Sequence, residues 1–458
     1  MKYTHLAVDD LGSFVFGRCP SPLEVGNGLR LGAGTVYPEL NFTLPPMQVN
    51  GATMAQVLQE YTQMAEETCA RAVALAVPGL VMELELLPDL TRQPEWGAEV
   101  TATLRAVLDR HAASDGLKCA LRVTPNDIRD FVRPPLMHEG EEWQKMLATF
   151  ELCAQAGADL LSIESTGGKE LHDDALLMGD LAGSVFALGV LASRDMAELW
   201  GTIVALSAKH KALPAGDSAC GFANTAMALA DSGHIPKVLA AVVRVVGVPR
   251  SLVAYEQGAL GPGKDCAYEN VYLKAITGYP MALEGAEAAC AHLSPIGNIA
   301  KAVADLWSNE SVQNVKLLGA MAPTVSMEQL AYATRLMNEA TKAGQEALLR
   351  DLFVASDQAN DPQAYVLRPD IALNLAGEII AEPTPYLRAR RATLSTLAVL
   401  RQGEADGALH LRKAERNWLE RLSRQADQLP EDEGRLTEEM VARADPKKVR
   451  LDQYGIEP

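Results

Sequence analysis

The chain has no close pair of cysteines. Its seven cysteines, at positions 19, 69, 119, 153, 220, 266 and 290, are odd in number and form no CxxC. That pattern excludes a secreted disulfide framework and a structural zinc knot, and leaves free or metal-bound thiols. Histidine is equally sparing of motifs: none of the eight falls in an HExxH or HxH pattern, so a histidine-based hydrolytic zinc site has little support. His138, His172 and His234 are read as surface or capping residues. Excess positive charge is missing too. A formal net charge of -18 with dispersed Lys and Arg argues against a nucleic-acid partner. The opening MKYTHLAVDDLG lacks the layout of a signal peptide, and no run of about 18 uncharged apolar residues follows. No membrane role and a cytoplasmic address are expected. No internal repeat or low-complexity tract stands out.

What is present allows a large core. The 458 residues are 48% hydrophobic and only 22% charged. From residue 79 to 310, short apolar strands alternate with helical stretches, the strand candidates being 81–87, 118–125, 159–166, 184–192, 213–219, 250–257, 280–284 and 293–298. Eight parallel strands with crossover helices close most simply as a (β/α)8 TIM barrel, which takes about 250 residues. Ser193 to Glu198 reads as a capping signal at a helix start. The expected organisation is an α/β barrel at 79–310, an N-terminal segment at 1–78 wrapping over it, and a C-terminal helical extension at 311–458. The first of these flanks is Gly- and Pro-rich from Gly26 to Pro46 and the last is increasingly charged.

Side chains on a barrel strand alternate between the interior and the surrounding helices. In the strand candidate at 81–87, Met82, Leu84 and Leu86 form the outward face, so Glu83 and Glu85 point inward, with Glu85 nearer the C-terminal rim where barrel active sites form. Arg122 enters the same interior, and an ion pair between Glu83 and Arg122 that fills the barrel is the plain reading of those two. Glu85 is the better functional candidate.

Glu164, Cys220 and Cys266 each follow an apolar or small-residue run where a strand gives way to a loop. Alternation sends Leu161 and Ile163 outward and Ser162 and Glu164 inward, and Gly167-Gly168 then permits a sharp exit. A helix start near Cys220 would favour its thiolate, although a small buried hydrophobe is the commoner fate of a free cysteine. Cys266 lies in a glycine-rich polar loop. Beside it, Lys264 and Asp265 read as a solvated pair. Three such ligands suit an open catalytic metal site at a barrel mouth.

The segments SIESTGGKE, AGDSACGFANTAMALA and GPGKDCAYEN, in this order and spacing, resemble the zinc-containing subunit of methanol:corrinoid methyltransferase of methylotrophic methanogens and acetogenic bacteria. FVFGRCP and GAGTVYPELNF extend the likeness over most of the chain. The resemblance implies Zn2+ held by Glu164, Cys220 and Cys266, a homodimeric core within a heterotetramer or larger complex, and a corrinoid (cobamide) carried by a partner protein. It also implies methanol as methyl donor, its carbon attacked by cob(I)amide while a proton reaches the leaving oxygen. Glu85, Asp217 and Tyr255 are the candidate proton donors, each placed near the rim by strand alternation. Another methyl donor, such as a methoxylated compound, would use the same zinc chemistry. Outside the family, a barrel lyase would need a Schiff-base lysine from Lys118 or Lys264, and a scaffold would dock proteins on the C-terminal helices.

Overall fold

A computed structural model describes residues 3–457 apart from 265, 286–292, 294 and 314, so Asp265 and Cys290 lie outside the described residues. The chain opens with an antiparallel hairpin of β1 (Arg18–Val25) and β2 (Leu29–Ala33). It then lays down β3 (Tyr37–Thr43), β4 (Leu80–Glu85), β5 (Cys119–Thr124), β6 (Leu160–Ile163), β7 (Leu213–Asp217), β8 (Ala282–Glu284) and β9 (Leu306–Val312). These seven form one parallel sheet in the order β7-β6-β5-β4-β3-β9-β8. Residues 259–263 run between its two edges. There the Leu260 N–H donates to the Pro214 carbonyl at 2.8 Å, Gly263 forms a parallel bridge with Met281, and the Ala282 N–H donates to the Gly263 carbonyl at 3.3 Å. That segment takes the eighth position, and the expected α/β barrel of TIM type is what the chain forms.

Three strand expectations are corrected. Residues 184–192 are helical: helix Leu181–Phe186 passes through a π-helical stretch, Ala187–Ala192, into helix Ser193–His210. A short run that is apolar on every side does not distinguish a buried strand from a buried helix, and here Gly189 lets helix Pro385–Ala405 approach closely. Ser193 therefore sits mid-helix, its hydroxyl donating back to the Leu188 carbonyl at 2.9 Å, and caps nothing. Residues 250–257 are the last third of helix Lys237–Gln257, which carries Pro249 in its interior. This helix is long and apolar enough to span a membrane by length and composition, but the qualifying stretch is wholly buried in the protein. Residues 293–298, apart from Ser294 outside the described set, form turns and bends, and the strand comes later as β9. Its partner in the sheet, β3, lies within the stretch expected to wrap the barrel.

The barrel interior is layered. At the N-terminal ends of the strands, Tyr37, Val81, Ala120, Leu160, Ala215, Ala282 and Leu306 form an apolar floor. Val25, Leu29 and Leu31 of the hairpin pack against that floor, so the N-terminal segment plugs the end opposite the site. Above the floor, the inward positions turn polar: Glu39 and Asn41 on β3, Glu83 and Glu85 on β4, Arg122 and Thr124 on β5. Arg122 pairs with Glu39 at 3.0 Å and donates to Ser162 Oγ at 2.9 Å and to the Pro262 carbonyl at 2.8 Å. The expected attraction between Glu83 and Arg122 persists across the interior, where burial works against the Glu83 charge but Lys264 and Arg122 hold its pKa down; the close ion pairs run from Arg122 to Glu39 and from Glu83 to Lys264. Arg122 finds its carboxylate on the strand missed in the sequence.

The outer face of the sheet and its helices share one large core. Beyond β9 the chain is helical, including Ala322–Lys342, Glu346–Asp357, Pro369–Ile380, Pro385–Ala405 and Lys413–Ala426.

Candidate active site

Glu164, Cys220 and Cys266 come together at the C-terminal rim. One ligand atom from each lies within 4.8 Å of the others, and Cys266 Sγ donates to Glu164 Oε1 at 3.0 Å. Each reaches this point from a different crossover: Glu164 follows β6 by one residue, Cys220 opens helix Cys220–Asp231, and Cys266 lies in the loop before helix Asn270–Thr277. Asn224, one turn into the second of these, donates from Nδ2 to Cys220 Sγ at 3.1 Å.

Buried polar contacts hold the three loops. Arg250 Nη2 donates to the Ser165 carbonyl at 2.9 Å, to Ser165 Oγ at 2.6 Å and to Asp217 Oδ1 at 3.0 Å, fixing the backbone beside Glu164. Glu269 accepts from the Ala219 N–H at 2.6 Å and from Ser251 Oγ at 2.8 Å, and Ser218 Oγ accepts from the Ala267 N–H at 3.2 Å. These bonds lace the two cysteine loops to each other. Asn270 Nδ2 reaches three carbonyls, of Gly263, Lys264 and Ala282, at 2.8 to 3.0 Å. Gly263 is required by close approach: a Cβ there would start 2.5 Å from the Tyr255 hydroxyl and 2.9 Å from Asn270.

Lys264 is the cation of the site and is 2% exposed. Its Nζ lies 2.9 Å from Glu83 Oε1, 3.3 Å from Glu85 Oε2 and 3.3 Å from Glu164 Oε1. Burial works against its charge, but Glu83, Glu85 and Glu164 together hold its pKa well above the ordinary lysine value. The solvated Lys-Asp pair expected from sequence is therefore wrong for Lys264: the loop folds inward and delivers it to three carboxylates. Glu85 also accepts from Asn41 Nδ2 at 2.9 Å, and burial raises its pKa, opposed by Lys264 and reinforced by Glu164 and Glu83. On the neighbouring strands, burial pushes Glu310 up to about 8, with Glu284 and Glu85 adding to the shift.

The thiols respond to the same surroundings. Burial carries Cys266 well above the usual thiol range, with Cys220 and Glu164 adding to it. The hydrogen bond with Cys266 pulls Cys220 down, but burial and the Glu164 and Glu284 carboxylates leave it well above its ordinary value. The helix start at Cys220 does not overcome them. A divalent cation among these donors would reverse the balance, because coordination to a metal deprotonates a thiol outright.

A family model described as the methanol-cobalamin methyltransferase B subunit matches residues 1–455. The chain belongs to this family. The methanol–corrinoid protein co-methyltransferase of Methanosarcina barkeri (strain Fusaro / DSM 804) is 36% identical over 460 residues, 99% of each chain. The crystal structure of the methanol:cobalamin methyltransferase complex MtaBC from Methanosarcina barkeri contains a chain that matches with a TM-score of 0.95 at 36% identity, again over 99% of each. Membership of the B-subunit family makes this chain a methyltransferase.

Among the proton-donor candidates, the B-subunit fold brings Glu85 alone into contact with the Lys264–Glu164 group. Asp217 faces the other way. A register shift between Leu161 and Ser162 puts Asp217 opposite the outward Ile163, where Trp200 Nε1 donates to it at 3.1 Å and Arg250 pairs with it at 3.0 Å. Tyr255 lies on a helix rather than a strand, so alternation does not apply to it. Its buried hydroxyl meets Met281 Sδ at 3.4 Å, and burial raises its pKa. His172 is fully buried against Phe222 and His138 pairs with the buried Asp195 at 2.9 Å, so neither is a simple surface residue. Sequence reasoning missed Glu39, Glu284 and Glu310. The signal for Glu284 was there: it ends the strand candidate at 280–284 two residues from the inward Ala282.

Proposed function

We propose that this chain transfers the methyl group of methanol to the cobalt of a corrinoid carried by a partner protein, using zinc held by Glu164, Cys220 and Cys266. The observation that carries the reading is the convergence of one carboxylate and two thiols within 4.8 Å at the barrel rim. The donor set fits the ion: thiolates with a carboxylate suit zinc rather than magnesium or calcium, and three protein ligands leave a fourth tetrahedral position. When bound, zinc supplies Lewis acidity toward the alcohol oxygen, whose departure as hydroxide otherwise makes methanol a poor electrophile.

The chain's own groups do the rest. Glu85 gives its proton to the leaving oxygen, and Asn41 and Lys264 fix its carboxyl at 2.9 and 3.3 Å. Cys266 and Lys264 are buried and only 24% of the Glu164 side chain is exposed, an access that suits a one-carbon alcohol better than a bulky methoxylated compound. The attacking electron pair belongs to the corrinoid. The free thiols at Cys19, Cys69, Cys119, Cys153, Cys220 and Cys266 and the strongly reducing cofactor suit a cytoplasmic enzyme.

The test is to mix the zinc-loaded chain with reduced corrinoid and candidate donors, and to follow the cobalt spectrum. Methanol-dependent methylation is expected; methylation from methoxylated compounds alone would move the substrate, and none from any donor would end the reading. Glu85→Gln, with zinc retained, should slow transfer by about 100-fold or more, the size of a lost general acid.

A further inference from the structure

Lys264 and Glu85 stand in an arrangement that simple charge balance does not explain. Asn41 Nδ2 at 2.9 Å and Lys264 Nζ at 3.3 Å meet the same oxygen of the Glu85 carboxyl, Oε2. The same ammonium lies 3.3 Å from Glu164 Oε1, which in turn lies 3.0 Å from Cys266 Sγ. Two carboxylate oxygens equally distant from one atom can be no farther apart than twice that distance, so Glu85 stands within a side-chain rotation of the ligand group. Glutamate is itself a competent zinc ligand. A site that gathers two thiols, one glutamate and a second glutamate this near would close its own fourth position with Glu85 unless something held it back.

We propose that Lys264 is a positioning residue that keeps Glu85 off the metal, so the fourth position stays open for the alcohol and Glu85 remains a proton carrier instead of a ligand. The inference rests on the zinc reading above. Lys264 suits the task because its charge is buried and triply engaged. Glu83, at 2.9 Å and itself buried, anchors the ammonium from below and accepts from Thr124 Oγ1 at 2.7 Å. Asn270 fixes the Lys264 backbone through its carbonyl at 2.8 Å. An ammonium held at both ends does not follow Glu85 toward the ion. By drawing charge from Glu164 it also offsets the electron donation of two thiolates, which would otherwise blunt the metal as an acid.

The test compares the wild-type chain, Lys264→Met, and the double variant Lys264→Met/Glu85→Gln, each loaded with zinc or cobalt(II). Two readouts besides activity are zinc release to a chelator and electron-nuclear double resonance of the cobalt form in oxygen-isotope-labelled water, which reports an exchangeable water on the metal. Wild type should show that water. Lys264→Met should lose it and release zinc more slowly, by about tenfold or more, the scale on which outer contacts tune metal affinity. The double variant, which removes the competing carboxylate, should regain the water and the faster release. Lys264→Gln, which keeps a donor for Glu83, serves the same comparison if the methionine variant does not fold. A Lys264 variant that keeps both the labelled water and the wild-type release rate overturns the inference. A wild-type chain that takes up no zinc overturns the zinc reading instead.

Discussion

Arg129 lies fully buried between Asp127, at 2.8 Å, and Asp195, at 2.6 Å, and His138 adds a contact on Asp195 at 2.9 Å. Asp127 also accepts from the Thr166 N–H at 2.8 Å, two residues beyond Glu164, so this cluster holds the exit of β6. Burial alone would raise the Asp195 pKa, but Arg129 and His138 outweigh it and bring it from 3.8 to about 2. A carboxyl whose folded pKa is depressed stabilises the fold above its unfolded pKa, and that contribution fades as pH falls toward the folded value. Between pH 3.8 and about 2 the chain should therefore lose about 2 kcal/mol through Asp195. Asp195→Asn should flatten this part of a plot of melting temperature against pH while lowering the melting temperature at neutral pH, since Arg129 loses a partner. An acid limb as steep in the variant as in wild type would refute the assignment.

At the scale of elements, the hairpin β1–β2 depends on Gly26. Its φ is +54, and a Cβ there would lie 2.1 Å from the Cys119 carbonyl and 2.8 Å from Ala120. Gly26→Ala should cost about 2–4 kcal/mol in urea unfolding through strain and clash together. Gly28→Ala, with φ +106 but no atom within 4 Å, should cost less; equal losses would show that the floor contact contributes little. Of the strands that sequence revealed, β4 to β6 carry plain apolar outward faces, and β7 and β8 are short runs of small and apolar residues that end in an acid. β3 and β9 hid because their inward positions, Glu39, Asn41, Ser308 and Glu310, serve the polar interior and make YPELNFT and LWSNESV read as loops. The eighth position was illegible for a different reason: residues 259–263 have one bridge and no ladder. Glu164, Cys220 and Cys266 were legible because each stands in a long motif, Glu164 directly after β6, Cys220 at the helix start beyond β7 and Cys266 in the glycine-rich loop before helix Asn270–Thr277. Lys264 was not, because its partners on β4 are 181 and 179 residues away in sequence.

At the scale of the whole molecule, the last described residues return to the catalytic rim. The Tyr454 hydroxyl accepts from the Gly168 N–H at 2.8 Å, and the Tyr454 carbonyl accepts from Arg194 at 3.0 Å. Gln453 accepts from the Met137 N–H at 3.0 Å and donates to Glu139 at 2.7 Å, while Lys448 pairs with Asp174 at 2.6 Å. One segment thereby staples the loop after β5, the exit of β6 and the helices Lys169–Met178 and Ser193–His210. Glu164 sits four residues before Gly168, so its placement depends on a contact nearly three hundred positions downstream. Removing residues 445–458 should leave the barrel folded, because its floor and its outer core draw mainly on earlier residues, but should uncover the Gly168 N–H and free the β6 exit. On the proposed zinc reading, release of the ion to a chelator should then accelerate by about tenfold, because the loop that carries Glu164 loses its anchor at Gly168. Tyr454→Phe, which removes the acceptor while keeping the ring, should account for part of that change. If the shortened chain holds zinc as long as the full one, the segment supports the rim without tuning the site.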